Sequence, residues 1–200
     1  MPLWGTAHAS ASNKPKFEPT SEDSDYKKGD VYATNAGWVR QAGTAASGND
    51  NSSATPEVLV AIGDLAGSSS TTGLRAPTVT SMRFVTGSSS QTLTVEVTWD
   101  EAVTVATSNP TLVLANGNEG TGSGRGPYTL VYTATGSSAN RKRFTLASQT
   151  IAEDDVLTLG GANIVLANSS TISDTAVGGT TLAASLVLSG LTAVTHTVLA

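Results

Sequence analysis

The chain has 200 residues, of which 14% are charged and 5% aromatic, with a formal net charge of -5 and no cysteine. Proteins that bind nucleic acid or anionic membranes need a basic face, so this acidic balance argues against both partners. Without cysteine there are neither disulfides nor thiolate metal ligands. Gly, Ser, Thr, Val and Ala dominate the sequence, which predicts an all-β fold with many turns.

The N-terminal segment, residues 1 to about 30, is predicted to be an extended arm. Three prolines disfavour helix, and the acidic run at residues 22–25 favours solvation. Leu3, Trp4 and Phe17 are isolated apolar residues in this polar stretch, and their neighbours cannot enclose them. We therefore expect these three side chains to bind a partner. No basic region followed by an apolar one begins the chain, so synthesis in a cytoplasm without a secretory signal is expected.

A small β-domain is predicted to follow the arm, so that arm and domain together occupy residues 1–66. Two short strands at 30–33 and 37–40 flank a turn at 34–36, and a third strand spans 57–62. Three strands make a sheet that is marginal when alone, which points to a partner. Trp38 either caps this sheet or anchors an interface, and Tyr26 and Tyr32 are further candidates for partner contact.

Residues 67–76 are rich in Gly and Ser and are predicted to be a linker, and residues 77–200 a β-sandwich. The clearest strand runs from Leu93 to Trp99 with strict alternation of apolar and polar residues. Further strands are predicted at 79–85, 111–115, 128–134, 143–147, 156–159, 164–166, 182–188 and 194–199. The expected core contains Trp99, Phe84, Tyr132, Phe144 and Leu157.

The segments SQTLTVEVTWDEAVTV, NPTLVL, GPYTLVYTATGSSANRKRFTL and AEDDVLTL resemble immunoglobulin-like domains of the bacterial type found in bacterial surface proteins and phage virion proteins. The matching elements are a W/F-x-E-x-V segment at residues 99–103, followed by x-P-T-L-x-L at 109–114. The resemblance covers about residues 77–190 and implies an Ig-like sandwich. It implies little about function, since such sandwiches host many roles.

The segments LWG, PKF, VYATNAGWV and EVLVAIGDL resemble the N-terminal region of structural proteins of phages of marine cyanobacteria and related bacteria. This resemblance implies a virion protein that decorates and stabilises the capsid by binding the major capsid protein, while the Ig-like domain projects outward. It further implies a homo-oligomer on the capsid lattice, with a trimer as one arrangement, assembled in the host cytoplasm. The alternative is a tail or fibre component whose Ig-like domain makes weak contact with host-surface glycans.

Residues with catalytic or ligand-binding chemistry are few, and we predict no enzyme, no catalytic residue and no cofactor. His8 and His196 lack companions at metal-ligand spacing, and no nucleophile-elbow motif is present. The carboxylate runs Asp100-Glu101 and 153–155 lie near strand ends, where calcium is one alternative and solvated turn residues the favoured one. The basic cluster 141–143 is predicted to be a solvated strand start.

Overall fold

The computed structural model describes residues 21, 25–47, 50–67, 74–85, 93–107, 109–118, 126–146, 151–174 and 181–199. Within them the protein is all-β, as predicted, and its only helical elements are 3₁₀ turns at Lys28–Asp30 and Ala45–Ser47. The predicted arm lies almost entirely outside the described residues. No helix in the described ranges is long and apolar enough to cross a membrane.

Twelve strands are described, in chain order β1 to β12. Their bounds are Val31–Thr34, Gly37–Arg40, Glu57–Ala61, Val79–Phe84, Thr94–Trp99, Val103–Ala106, Thr111–Asn118, Tyr128–Thr133, Arg141–Leu146, Asp155–Leu159, Thr171–Asp174 and Val194–Thr197. Most of these strands begin within two residues of the start of a predicted strand. The predicted strands at 164–166 and 182–188 are instead isolated bridges, at Val165 and Ala183. The short strands β6 and β11 were not predicted.

The chain forms two compact units. Unit 1 comprises Met1–Thr78, Trp99–Thr104 and Ile172–Ala184, and unit 2 comprises Val79–Thr98, Val105–Thr171 and Ser185–Ala200. Unit 1 is therefore built from three separate chain segments. The sequence predicts a single division of the chain, at a linker over residues 67–76, whereas Leu74 in that segment packs against the core of unit 1.

Unit 1 contains the predicted three-stranded sheet, in the order β1-β2-β3 with antiparallel pairing. Its core is formed by buried residues of the hairpin and of the turn after β3, namely Val31, Ala33, Trp38, Ile62 and Leu65. The first residue of β2, Gly37, must be glycine. Gly37 has a φ of +126°, and a Cβ there would lie 2.0 Å from the Val60 carbonyl oxygen.

Unit 2 is dominated by one seven-stranded sheet in the order β12-β10-β7-β8-β9-β5-β4. Its two edge strands contact each other, and the rings of Phe84 on β4 and His196 on β12 stack with centroids 5.1 Å apart. The sheet is therefore nearly closed. The Ig-like sandwich expected from the sequence is not confirmed by this topology.

All six residues of β5 are buried, although its sequence alternates between apolar and polar side chains. Trp99, Phe144 and Leu157, expected in the core, are completely buried, while Phe84 and Tyr132 are only partly so. On the polar face of β5, Glu96 is surrounded by arginine side chains of the neighbouring strands β4 and β9. Alternation therefore predicted the strand correctly but not the burial of its second face.

Candidate functional site

The predicted interface residues have very different environments. Leu3, Trp4 and Phe17 lie outside the described residues. Tyr26 is 56% exposed, and the Arg40 guanidinium carbon lies 5.4 Å from its ring centroid. Tyr32 and Trp38 are buried, and Trp38 belongs to the core of unit 1. Of the two roles considered for Trp38, the structure therefore shows the one in which it supports the small sheet.

The outer edge of β3 is the most accessible part of this sheet. In the described part of the chain, β3 has only β2 as a strand neighbour. Its residue Val58 is 47% exposed, and Glu57 and Ala61 are also exposed. Arg40 Nη1 lies 3.2 Å from Glu57 Oε2, so Tyr26, Arg40 and Glu57 form a continuous chain of contacts beside this edge. We call Glu57–Ala61 the β3 edge. Unpaired edges of this kind accept a further strand.

A second candidate site lies where the chain leaves β5. The Asp100 carboxylate oxygen Oδ1 accepts a hydrogen bond from Thr78 N at 2.7 Å, and the Asp100 carbonyl accepts one from Ala33 N at 2.7 Å. Glu101 then forms a parallel bridge with Ala33. These backbone bonds hold the Glu101 side chain inside unit 1, where the residue is only 2% exposed. The expectation that Asp100 and Glu101 are solvated turn residues is wrong.

Two other segments of unit 1 complete the site. Asp174 ends β11, and its Oδ1 accepts a hydrogen bond from Leu182 N at 2.8 Å. Asn35 lies in the β1–β2 turn, which Thr34 stabilises by accepting from Ala36 N and donating to the Gly37 carbonyl. Together these segments form a cavity of about 240 Å³ that is partly open to solvent and is lined by Tyr32, Ala33, Thr34, Asn35, Ala66, Glu101, Ala102 and Asp174. We call it the Glu101 cavity.

The electrostatics of the Glu101 cavity disfavour negative charge. Burial, together with the negative charges of the neighbouring carboxylates Asp100 and Asp174, raises the pKa of Glu101 to about 8. Burial also raises the pKa of Tyr32. Glu101 Oε1 and Asn35 Oδ1 are both buried, and neither has a hydrogen-bond donor among the described residues. Such buried acceptors without donors are unusual in native structures. The sequence drew attention to the Asp100-Glu101 pair, but no local pattern indicated that Asn35 and Asp174 lie beside it.

In the other carboxylate run, residues 153–155, two residues are exposed and one is buried. Glu153 and Asp154 are exposed, as expected of turn residues, whereas Asp155 is completely buried. Its carboxylate accepts hydrogen bonds from Tyr128 Oη, Asn116 Nδ2 and Ala152 N, at 2.8 to 2.9 Å. Both carboxylate oxygens of Asp155 therefore accept hydrogen bonds within the protein.

The basic cluster 141–143 is not a solvated strand start, because Arg141 and Lys142 are buried. Arg141 and Arg143 on β9, with Arg83 on β4, surround the buried carboxylate of Glu96 on β5 at distances of 2.8 to 3.4 Å. Burial lowers the pKa of Lys142 to about 8, and its Nζ donates to the Ser138 and Ala139 carbonyls. The arginines thus neutralise the buried Glu96, whereas burial disfavours the charge of Lys142.

The described histidine and carboxylate side chains form no metal centre. His8 lies outside the described residues, and His196 stacks on Phe84. Among the residues that the structure describes, no three His, Cys, Asp or Glu side chains are grouped so that they could hold a metal ion. No family model matches the sequence, and searches of curated proteins and of solved structures also found no match.

Proposed function

We propose that this protein is a non-enzymatic virion structural protein that decorates and stabilises a phage capsid by binding the major capsid protein. The observation that carries the proposal is the β3 edge, an open strand with exposed apolar residues in the segment whose sequence resembles phage structural proteins. A strand of the capsid protein pairs with this edge, and the arm adds further contacts. The part of residues 77–200 that belongs to unit 2 contains most of the segment that resembles Ig-like domains, and it projects outward.

The β3 edge supplies two kinds of interaction for such a partner. Its free backbone groups provide hydrogen bonds, and Val58 provides apolar area beside them. Tyr26 extends this surface through its contact with Arg40, which in turn pairs with Glu57. Arg40 itself is buried, so Tyr26 is the member of this pair that a partner can contact, and tyrosine is over-represented among residues that dominate binding energy. The β3 edge and Tyr26 are therefore the two features offered to the protein partner.

Replacing Val58 by arginine is expected to weaken attachment to capsids that lack the protein by at least about tenfold, because a charge on an edge strand opposes pairing with another strand. The measurement is co-sedimentation with such capsids over a range of protein concentrations. Val187 is 51% exposed in unit 2 and provides the matched control, Val187→Arg. Equal weakening by both variants, or by neither, would contradict a role of the β3 edge.

Deleting residues 1–20 is expected to reduce attachment strongly while unit 1 stays folded. The deletion removes Leu3, Trp4 and Phe17 but leaves Tyr26 and the 3₁₀ turn before β1. An arm that orders on binding must recover its conformational entropy from buried aromatic side chains, so Trp4→Ala alone should account for a substantial part of the loss. If the truncated and full-length proteins co-sediment equally, the arm is not an anchor.

The copy number in purified particles separates the proposed function from the tail or fibre alternative. A protein that covers the capsid lattice is expected in hundreds of copies per virion, whereas a tail or fibre component occurs in far fewer. Quantitative mass spectrometry of purified virions, with the major capsid protein as the internal standard, gives this ratio directly. If the ratio is as low as that of tail proteins, the protein is a tail or fibre component and the capsid function is contradicted.

A further inference from the structure

The Glu101 cavity contains two hydrogen-bond acceptors for which the described residues provide no donor. Glu101 is only 2% exposed, and its Oε1 atom is buried. Asn35 Oδ1 is also buried, and neither atom has a hydrogen-bond partner in the described ranges. Both residues line the same cavity. Leaving a buried acceptor unsatisfied costs free energy, so a ligand that donates hydrogen bonds to these oxygens would be favoured there. Because Asp174 lies in the same lining, the ligand should also carry positive charge.

The remaining lining favours an organic cation. Ala33, Ala66 and Ala102 present small apolar side chains, and the volume of about 240 Å³ exceeds that of one water molecule several times. Methylene groups pack well against such walls, while a terminal ammonium has three donors for the oxygens. We propose that the Glu101 cavity binds a primary alkylammonium group, with Glu101 and Asn35 as the acceptors of its hydrogen bonds.

A calcium ion fits this cavity less well. Calcium takes six to eight oxygen ligands and usually relies on several carboxylates. In the part of the chain that the structure describes, no three carboxylate or histidine side chains are grouped to hold a metal ion. An ammonium group requires fewer acceptors and tolerates the apolar walls. Calcium therefore serves as the competing probe in the test.

The charge state of Glu101 gives the proposed binding a distinctive pH dependence. The titratable groups that face Glu101 are Asp100 on its own segment, Asp174 on β11 and Tyr32 on β1. With a pKa of about 8, Glu101 is mostly protonated at neutral pH, and it must lose its proton to pair with a cation. Alkylammonium groups stay protonated up to about pH 10. The affinity should therefore rise by roughly tenfold or more between about pH 6.5 and 8.5.

The test is titration of the full-length protein with n-butylammonium chloride, followed by backbone amide NMR. We expect a dissociation constant on the order of 1 mM at high pH, since the ligand has few atoms. The resonances that shift should be those of Ala33, Asn35 and Ala102. No saturable shift at these positions would overturn the proposal, as would saturable calcium binding that butylammonium does not displace.

The matched variants are Glu101→Gln and, as control, Glu153→Gln. Glutamine has nearly the size of glutamate and resembles its protonated form, so the fold should be retained. Glu101→Gln is expected to bind butylammonium at least about tenfold more weakly and with no dependence on pH. Glu153 is exposed in unit 2, and its replacement should leave binding unchanged. Equal binding by wild type and Glu101→Gln at about pH 8.5, where Glu101 is mostly ionised, would overturn the proposal.

A free polyamine and a lysine side chain of the capsid protein both carry this ammonium group, and a second measurement distinguishes them. This comparison rests on the proposed function, so attachment of the wild-type protein to capsids is measured first. Weaker attachment of Glu101→Gln than of Glu153→Gln assigns the ammonium to a capsid lysine, and equal attachment assigns it to a free amine. Failure of wild-type attachment would contradict the capsid function alone, because butylammonium binding is measured without capsids.

Discussion

Raising the pH from about 5 to 8 is expected to lower the free energy of unfolding by roughly 3 to 5 kcal/mol through Glu101. The pKa of this carboxyl is about 8 in the folded protein, against an ordinary value of 4.5. The folded state therefore binds more protons than the unfolded state within this window. The stabilisation is complete below the ordinary pKa and is lost as the pH rises through the folded one. Because Glu101 is only 2% exposed, solvent screens this effect little.

The measurement is urea unfolding at a series of pH values, followed by tryptophan fluorescence, since Trp38 and Trp99 are completely buried. The quantity to compare is the difference between wild type and Glu101→Gln, which cancels the contributions of other groups. One such group is Lys142, whose lowered pKa of about 8 increases stability as the pH rises above that value. A difference that does not change with pH would mean that Glu101 is ionised in the folded protein.

Replacing Glu96 by alanine is expected to reduce the free energy of unfolding by about 3 to 5 kcal/mol, the usual result of removing one partner from a buried ion pair. Arg83, Arg141 and Arg143 all lie within 3.4 Å of this carboxylate. Burial acts to raise the pKa of Glu96, but the charge of Arg141 and the hydrogen bonds of Arg83 and Arg143 outweigh it and lower the pKa. Without Glu96, three positive charges would face one another.

Glu57→Ala provides the comparison for Glu96→Ala. Glu57 also pairs with an arginine, at 3.2 Å, but its side chain is 54% exposed. Exposed ion pairs contribute little, so this variant should cost less than about 1 kcal/mol. Both values come from urea unfolding at neutral pH. Similar losses in the two variants would show that the burial of the Glu96 cluster does not increase its contribution to stability.

Local sequence patterns were sufficient to predict most of the strands. Alternation located β5 because apolar residues recur at every second position from Leu93 to Trp99. The β1–β2 hairpin was predicted because two short strand signals flank a turn with Asn35. The strands β6 and β11 were missed since each has only four residues and pairs with a distant segment. Patterns within a short window do not report such pairing.

The candidate sites were harder to predict, for a related reason. The Glu101 cavity brings together residues from the β1–β2 hairpin, from Ala66, from the segment after β5 and from the end of β11. Read along the chain, Asp100 and Glu101 resemble turn residues, and only their backbone bonds to Thr78 and Ala33 show why they are buried. Similarly, Arg141 and Lys142 resemble a surface cluster, but in the folded sheet Arg141 pairs with Glu96 and the Lys142 ammonium donates to the Ser138 and Ala139 carbonyls. Burial of charge depends on partners that are remote in sequence.

The discontinuous composition of unit 1 determines the order in which this protein can fold during synthesis. The hairpin β1–β2 and β3 emerge from the ribosome early, but residues 99–104 and 172–184 of the same unit emerge much later. Until then Ala33 lacks the acceptor that Asp100 provides, and the cavity has neither of its carboxylates. The β3 edge is present throughout this delay, and open edges on incompletely folded chains favour aggregation. Unit 1 is thus the first to begin folding, yet it cannot be completed until most of unit 2 has been translated.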